Sequence, residues 1–236
     1  MLATIINAAL VLLGSVIGLL FKNRISRRVT DTITQGLVLC VIFIGTTSAI
    51  KTADSLCMIL SMVFGILVGE LVDIEKRLDQ MGEFLRSKLH QEGDGGRFTE
   101  GFVTASLLYC VGSMAVMGAL QAGIYGDYSI LISKGVLDGI TSITFAAAMG
   151  MGVAFSALPV LIYQGALTLI FAAMGPVLEE AVVLEMSAVG GAIIFAIGLN
   201  MLNLSKVKLK VGNMLPAIFM PILYLPIRDL LIGLLG

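Results

Sequence analysis

Tryptophan is absent from the 236 residues, histidine occurs once and cysteine three times. Each shortage closes off a class of chemistry. Without tryptophan, any interfacial aromatic belt must rest on tyrosine and phenylalanine. The lone histidine, His90, lies in a polar stretch. That excludes the usual Ser-His and HExxH arrangements inside a bilayer. Cys40, Cys57 and Cys110 lie in or beside apolar stretches and show none of the spacings that bind zinc or a redox centre. They read as small packing residues, so neither a metal site nor a cofactor is expected. Charge is scarcest of all. Asp, Glu, Lys and Arg make up 13% of the chain, about half the share of an ordinary soluble domain. The net charge of −1 offers no basic stripe for nucleic acid.

What fills the chain instead is apolar: 58% of its residues are hydrophobic. So few charges cannot build a water-facing shell, and the membrane class follows. The first apolar run, Leu2 to Phe21, lacks a basic leader and is too long for a signal-peptide core. The basic cluster from Lys22 to Arg28 follows it directly, so it reads as a span. A crossing helix needs about 20 mainly apolar residues. Eight stretches qualify: 2–21, 33–50, 55–72, 101–122, 134–156, 159–178, 184–202 and 212–228. The sixth is interrupted near Gly175 and Pro176, and the eighth carries Pro216, Pro221 and Pro226. The expected fold is an all-α polytopic transmembrane bundle, one integral-membrane domain over residues 1–236.

Basic residues orient such a path. Twelve of the fifteen Lys and Arg follow spans one, three and seven, while Lys51, Lys134 and Arg228 fall on the other side beside Glu179, Glu180 and Glu185. The pattern predicts basic loops in the cytoplasm and both termini outside. Between spans three and four, Ile74, Leu78, Met81, Leu85 and Leu89 recur at helical spacing among charges. That predicts an amphipathic helix on the cytoplasmic face, followed by the glycine-rich link Gln91 to Arg97, the two together occupying 73–99. Lipid contact and packing on other loops are both open for it. Spans two and three resemble spans seven and eight in composition, so an inverted repeat is worth testing.

Five stretches carry a resemblance. INAALVLLGSVIGLL begins at Ile6, GILVGELVDIEKRLDQMGE at Gly65 and FVTASLLYCVGSMAVMGALQ at Phe102; GDYSILISKGVLDGITSITFAAAMGMGV begins at Gly126 and GNMLPA at Gly212. In order and nearly end to end, they resemble the uncharacterised bacterial membrane-protein family called domain of unknown function 554 (YdfK/YqgA-like). The resemblance implies a bacterial cytoplasmic-membrane protein. It brings no reaction, substrate or catalytic residue.

An ionisable group at a span centre costs roughly 2.5 kcal/mol or more, so each one needs a reason. Asp138 lies in span five, with Lys134 four residues before it on the same face, and Thr141, Ser142 and Thr144 continue a polar stripe. The pattern fits a proton- or cation-linked site with hydroxyl ligands. It also fits a neutralised pair at the outer interface with Lys134 snorkelling. Glu70, near the cytoplasmic end of span three, is either an entry carboxylate or an interfacial charge. Asn7, Gln35, Gln121, Asn200, Asn203 and Asn213 are by default glue between helices; Asn200 and Asn213 also flank the last link, where a solute contact is conceivable. Pro216, Pro221 and Pro226 each remove a helix hydrogen bond, and the freed carbonyls either meet an ion or merely kink a packing helix.

Three functions compete. Short-looped spans, sparse buried charge and broken helices favour a transporter or channel for a small solute or monovalent ion. A scaffold or sensor would use the amphipathic helix and the acidic outer loop. An enzyme is not expected: a two-aspartate protease needs a second intramembrane aspartate, and Asp73 is too interfacial. The expected partners are the lipid bilayer and a small solute or ion; the small-residue pairs Gly14/Gly18 and Gly65/Gly69 are explained by close packing within the chain, though a second copy of the chain could also use one.

Overall fold

In hydrocarbon a backbone amide has no partner except another backbone group, so long apolar runs close into helices. The computed structural model describes residues 1–22, 27–89, 96–111, 113–174, 179–202 and 208–235, and no strand occurs among them. The helices are α1 (Leu2–Lys22), α2 (Arg27–Ala49), α3 (Ser55–Val72), α4 (Ile74–Lys88), α5 (Arg97–Cys110) and α6 (Ser113–Ile124). There follow α7 (Ser129–Met149), α8 (Gly152–Phe155), α9 (Ala157–Met174), α10 (Glu180–Met201), a 3₁₀ segment (Val211–Phe219) and α11 (Pro221–Leu235). The all-α membrane reading holds.

Five stretches are long and apolar enough to cross a membrane unaided: α1, α3, α7, α8 with α9, and α10. Two bent pairs bring the number to seven, α5 with α6 at 55° and the 3₁₀ segment with α11 at 43°. The eighth expected span is α2, a helix of 23 residues that shows a shorter apolar stretch, Val38–Ala49, among the described residues. Two expected spans needed redrawing. The stretch 101–122 is two helices, broken after Cys110. The stretch 134–156 is not one helix either: α7 ends at Met149, and Gly150 turns the chain at φ +92°. A left-handed turn there suits glycine.

The outside is apolar, and the inside holds polar residues among its apolar ones. On α1, Leu12, Leu13, Val16, Ile17 and Leu20 are exposed while Thr4, Asn7 and Ser15 are buried. On α3, Ile59, Val63, Phe64, Leu67 and Leu71 are exposed, while Cys57, Ser61, Gly65 and Gly69 form a buried stripe at four-residue spacing. Faces this apolar, on helix after helix, need hydrocarbon to cover them.

The chain packs as two units. One comprises Met1–Leu39, Lys76–Cys110 and Met114–Pro176; the other comprises Cys40–Glu75, Val111–Ser113 and Val177–Gly236. In the first unit, a Cβ on Gly14 would land on the carbonyl of Gly139 and one on Gly18 on that of Ile143, while Gly135 meets Asn7. Residue numbers rise together along this seam, so α1 and α7 run parallel. Helix α4 packs on α5, where Gly82 meets Thr99 and Phe102 and the Thr99 hydroxyl donates to Glu83 at 2.8 Å. Phe84 stays exposed, with the Lys88 ammonium 5.7 Å from its ring centre.

In the second unit, Ile42 meets Gly198, Gly45 meets Phe195, and Ala49 meets Gly191, so α2 and α10 are antiparallel. Gly65 meets Ala217 and Gly69 meets Asn213. Asp54, just before α3, bonds Arg228 of α11 at 2.9 Å. The 3₁₀ segment and α11 thus run antiparallel to α3 along its whole length. In this unit α2 packs against α10, and α3 against the 3₁₀ segment and α11. Asp73, at φ 53°, joins α3 to α4 directly, its N–H bonded to the Gly69 carbonyl at 2.7 Å. Arg24, His90, Gln91 to Gly95, Gly175, Pro176, Asn203 and Lys206 lie outside the described residues.

Candidate functional site

The first unit buries a charge pair in mid-helix. Because α7 begins at Ser129, Asp138 stands near the middle of its 21 residues instead of near an end. Lys134, one turn earlier, donates to the Asp138 carboxylate. The two residues are 5% and 8% exposed, so Lys134 does not snorkel. Glycines bring the neighbouring helix within reach. Where Gly135 admits α1, the Asn7 amide faces the same carboxylate and donates to the Gln164 Oε1 of α9 at 2.9 Å. Thr168, one turn further along α9, donates to the Gln164 carbonyl at 2.8 Å. Cys110 of α5 lies within electrostatic reach of Lys134 and Asp138, and Tyr163 of α9 within reach of Cys110. The result is a polar group shared by four helices.

Buried polar atoms in folded proteins almost always have partners. Here five on α1 and α9 have none within the protein: Thr4 Oγ1, Asn7 Oδ1 and Ser15 Oγ on α1, and Tyr163 OH and Gln164 Nε2 on α9. The hydroxyl stripe on α7 behaves otherwise. Ser142 donates to the Tyr109 hydroxyl of α5 at 2.9 Å, whereas Thr141 and Thr144 bond carbonyls of their own helix. Ser142 therefore adds a cross-helix hydrogen bond, and Thr141 also lies beside the Tyr109 hydroxyl.

The second unit gathers the remaining candidates at its two ends. At one end, Glu70 pairs with Lys210 at 2.9 Å, both exposed. The Glu70 hydrogen bond holds the Lys210 ammonium above its ordinary pKa. Beside them, buried Asn213 accepts the Glu75 N–H at 2.7 Å, and the Glu75 carboxylate accepts the Gly212 N–H. Asn200 clamps both the N–H and the carbonyl of Leu209, at 2.9 and 2.8 Å. These contacts tie down the start of the 3₁₀ segment that contains Pro216. Asn200, Asn213, Glu70 and Pro216 are thus brought together. The set with Asp138, Lys134 and Ser142 belongs to the other unit.

At the opposite end of this unit, Glu185 is only 2% exposed. It accepts the Thr52 hydroxyl at 2.6 Å and the N–H groups of Ala53 and Asp54 at 2.7 and 3.1 Å. Asp54 in turn caps α3 through the N–H groups of Leu56 and Cys57 at 3.0 and 3.1 Å. Partial burial pushes the Asp54 carboxyl up, but the Cys57 N–H, Arg228 and Tyr224 outweigh it and hold it below its ordinary pKa. The expected acidic outer loop is therefore in part a buried strut. Glu185→Ala should lower stability by about 3 kcal/mol, since charged hydrogen bonds are lost and buried donors orphaned. Glu185→Gln, keeping one acceptor, should fall between. Melting of the purified protein in detergent tests this, and a variant melting like the parent would mean the strut bears no load.

Gln164 is the contact that sequence reasoning missed. Its signal was available, as the single amide within the apolar run LPVLIYQGALTLIF. Asn7 had been assigned to helix glue, and it does bond a neighbouring helix.

Comparison with known proteins supplies a family but no activity. The model of a family described as "Protein of unknown function (DUF554)" matches residues 2–225. The chain is 32% identical over 226 residues to the uncharacterized membrane protein YdfK of Bacillus subtilis, covering 94% of both chains. It is 32% identical over 222 residues to the uncharacterized protein YqgA of Escherichia coli, covering 91% of this chain and 92% of that one. No solved structure matches.

Proposed function

We propose, from the premise that this chain belongs to the DUF554 family of uncharacterised membrane proteins, that it is a transporter or channel for a small solute or ion and not an enzyme. Its pathway runs through the first unit, at Asp138, Lys134, Asn7 and Gln164. One observation carries the reading: an ion pair buried in mid-span beside amides and hydroxyls with no protein partner. A helix held only by packing has no use for that arrangement, because every polar atom in lipid costs free energy unless it is bonded. The two bent helix pairs add to the support, since broken helices are where membrane transporters present backbone groups to solutes.

The setting is a bacterial cytoplasmic membrane, with the links after α1, after α10 and around α4 inside and both termini outside. A reporter fused after Arg28 or Lys210 should be active only as a cytoplasmic fusion, and a periplasmic signal from either would overturn the orientation. Purified protein in liposomes should pass or bind some member of a broad panel of ions and metabolites, and Asp138→Asn should impair it. A panel without flux or binding would leave the scaffold or sensor reading, for which crosslinking to one stoichiometric partner is the positive sign.

A further inference from the structure

Within the first unit the described residues bury two charged side chains, Lys134 and Asp138, and these face each other. Their charges cancel. The remaining groups within reach are all neutral: Asn7, Gln164, Thr168, Tyr163 and Cys110. A cation entering this region would have to draw Asp138 away from Lys134 and leave an ammonium uncompensated in mid-membrane. An anion would do the same to the carboxylate. Either exchange trades one buried pair for another and strands a charge, which low-dielectric surroundings penalise heavily.

The unpartnered atoms point the other way. Asn7 and Gln164, 0% and 1% exposed, share a single hydrogen bond. Whichever way the two amides are turned, that bond uses one donor and one acceptor and leaves one of each. As placed, these are the Gln164 Nε2 donor and the Asn7 Oδ1 acceptor. The Thr4 and Tyr163 hydroxyls, on the same two helices, can each serve as either. Donors and acceptors are thus on offer in balance, with no spare charge.

We propose that the region around Asn7 and Gln164 takes a small solute without net charge that both donates and accepts hydrogen bonds, and not a monovalent ion. This rests on the transport reading above and narrows its substrate class. A solute of that kind would satisfy the amide donor, the amide acceptor and the hydroxyls together while leaving the Lys134–Asp138 pair closed. The pair then acts as a positioning element: the Asp138 carboxylate lies beside the Asn7 amide, and Lys134 keeps the carboxylate compensated.

The test uses full-length protein in liposomes. Acetamide and glycerol serve as uncharged probes, and sodium, potassium, chloride and acetate as charged ones. Uncharged probes should enter faster than in protein-free vesicles, without ion current. The Asn7→Leu/Gln164→Leu double variant removes both partners of the amide bond at once, a change that stability tolerates better than loss of one. It should slow entry by about tenfold or more, the factor one hydrogen bond of ordinary strength provides. Gln164→Leu alone, checked as a monodisperse folded species, should show most of that loss and guards against misfolding of the double variant. Ion current that disappears in the same variants would overturn the uncharged-solute inference and leave the transport reading standing. Uncharged flux that the variants leave intact would also overturn it, by placing the route elsewhere. Silence from both probe classes would sink the transport reading and the inference with it.

Discussion

Asp138→Ala, made alone, is expected to lower the stability of the folded protein by about 3–5 kcal/mol, the range for stranding one member of a buried ion pair. Lys134 is 5% exposed and its ammonium is bonded to Asp138. It is the sixth of the 21 residues of α7, and its ammonium turns inward to Asp138 instead of toward the nearer helix end. Removing the carboxylate leaves that ammonium with only neutral neighbours and frees the Asn7 amide as well. The paired change Lys134→Met/Asp138→Leu should recover most of the loss, because well-packed apolar residues often replace a buried pair at little cost. Unfolding in mixed micelles, read as a double-mutant cycle, gives the coupling directly. A cost for Asp138→Ala below about 1 kcal/mol would mean that water already reaches Lys134, and the pair could not be counted as buried. The paired variant has a second use. Folded yet inactive in liposomes, it would separate the pair's role in the solute path from its role in stability.

The all-α membrane class was legible in the sequence because it depends on amounts. Hydrophobic content and scarce charge need no knowledge of which helices touch. The seams needed the structure. Gly14, Gly18, Gly65 and Gly69 read correctly as sites of close approach, but the pattern could not say whether the partner was a helix of this chain or a second copy. The structure places Gly139, Ile143, Ala217 and Asn213 opposite them. Asp138 and Lys134 were visible as an i,i+4 pair. Their depth was not, since Lys134 marks the apparent start of the span at 134 whereas α7 begins five residues earlier, at Ser129. Glu185 misled for a related reason: in a cluster with Glu179 and Glu180 it reads as solvated, and only the fold shows three donors converging on it. The break after Met149 falls in AAAMGMGVAFSA, where small residues suit a helix seam and a turn equally.

Gly14→Ala is the smallest change with a large expected effect, and it ties packing to the proposed site. In a bilayer, helices gain no hydrophobic driving force by associating, so contact rests on close van der Waals approach through small residues. At Gly14 that approach is so tight that one added methyl would fall on the Gly139 carbonyl, a backbone atom that cannot swing aside. Helix α1 must then move off α7, and Asn7, two turns earlier on α1, moves with it away from Asp138. The expected cost is about 3 kcal/mol, the upper part of the usual overpacking range. Solute entry through the Asn7–Gln164 region should fall in parallel. Gly36→Ala supplies the contrast. Gly36 lies on α2 with nothing within 4 Å of an added Cβ, so alanine there should be neutral or stabilise by up to about 1 kcal/mol through helix propensity. Melting of the two variants side by side decides the matter. If Gly14→Ala melts at or above the parent while Gly36→Ala behaves as expected, α1 and α7 do not meet through Gly14 and Gly139. The parallel seam that delivers Asn7 to the Lys134–Asp138 pair would fail with it.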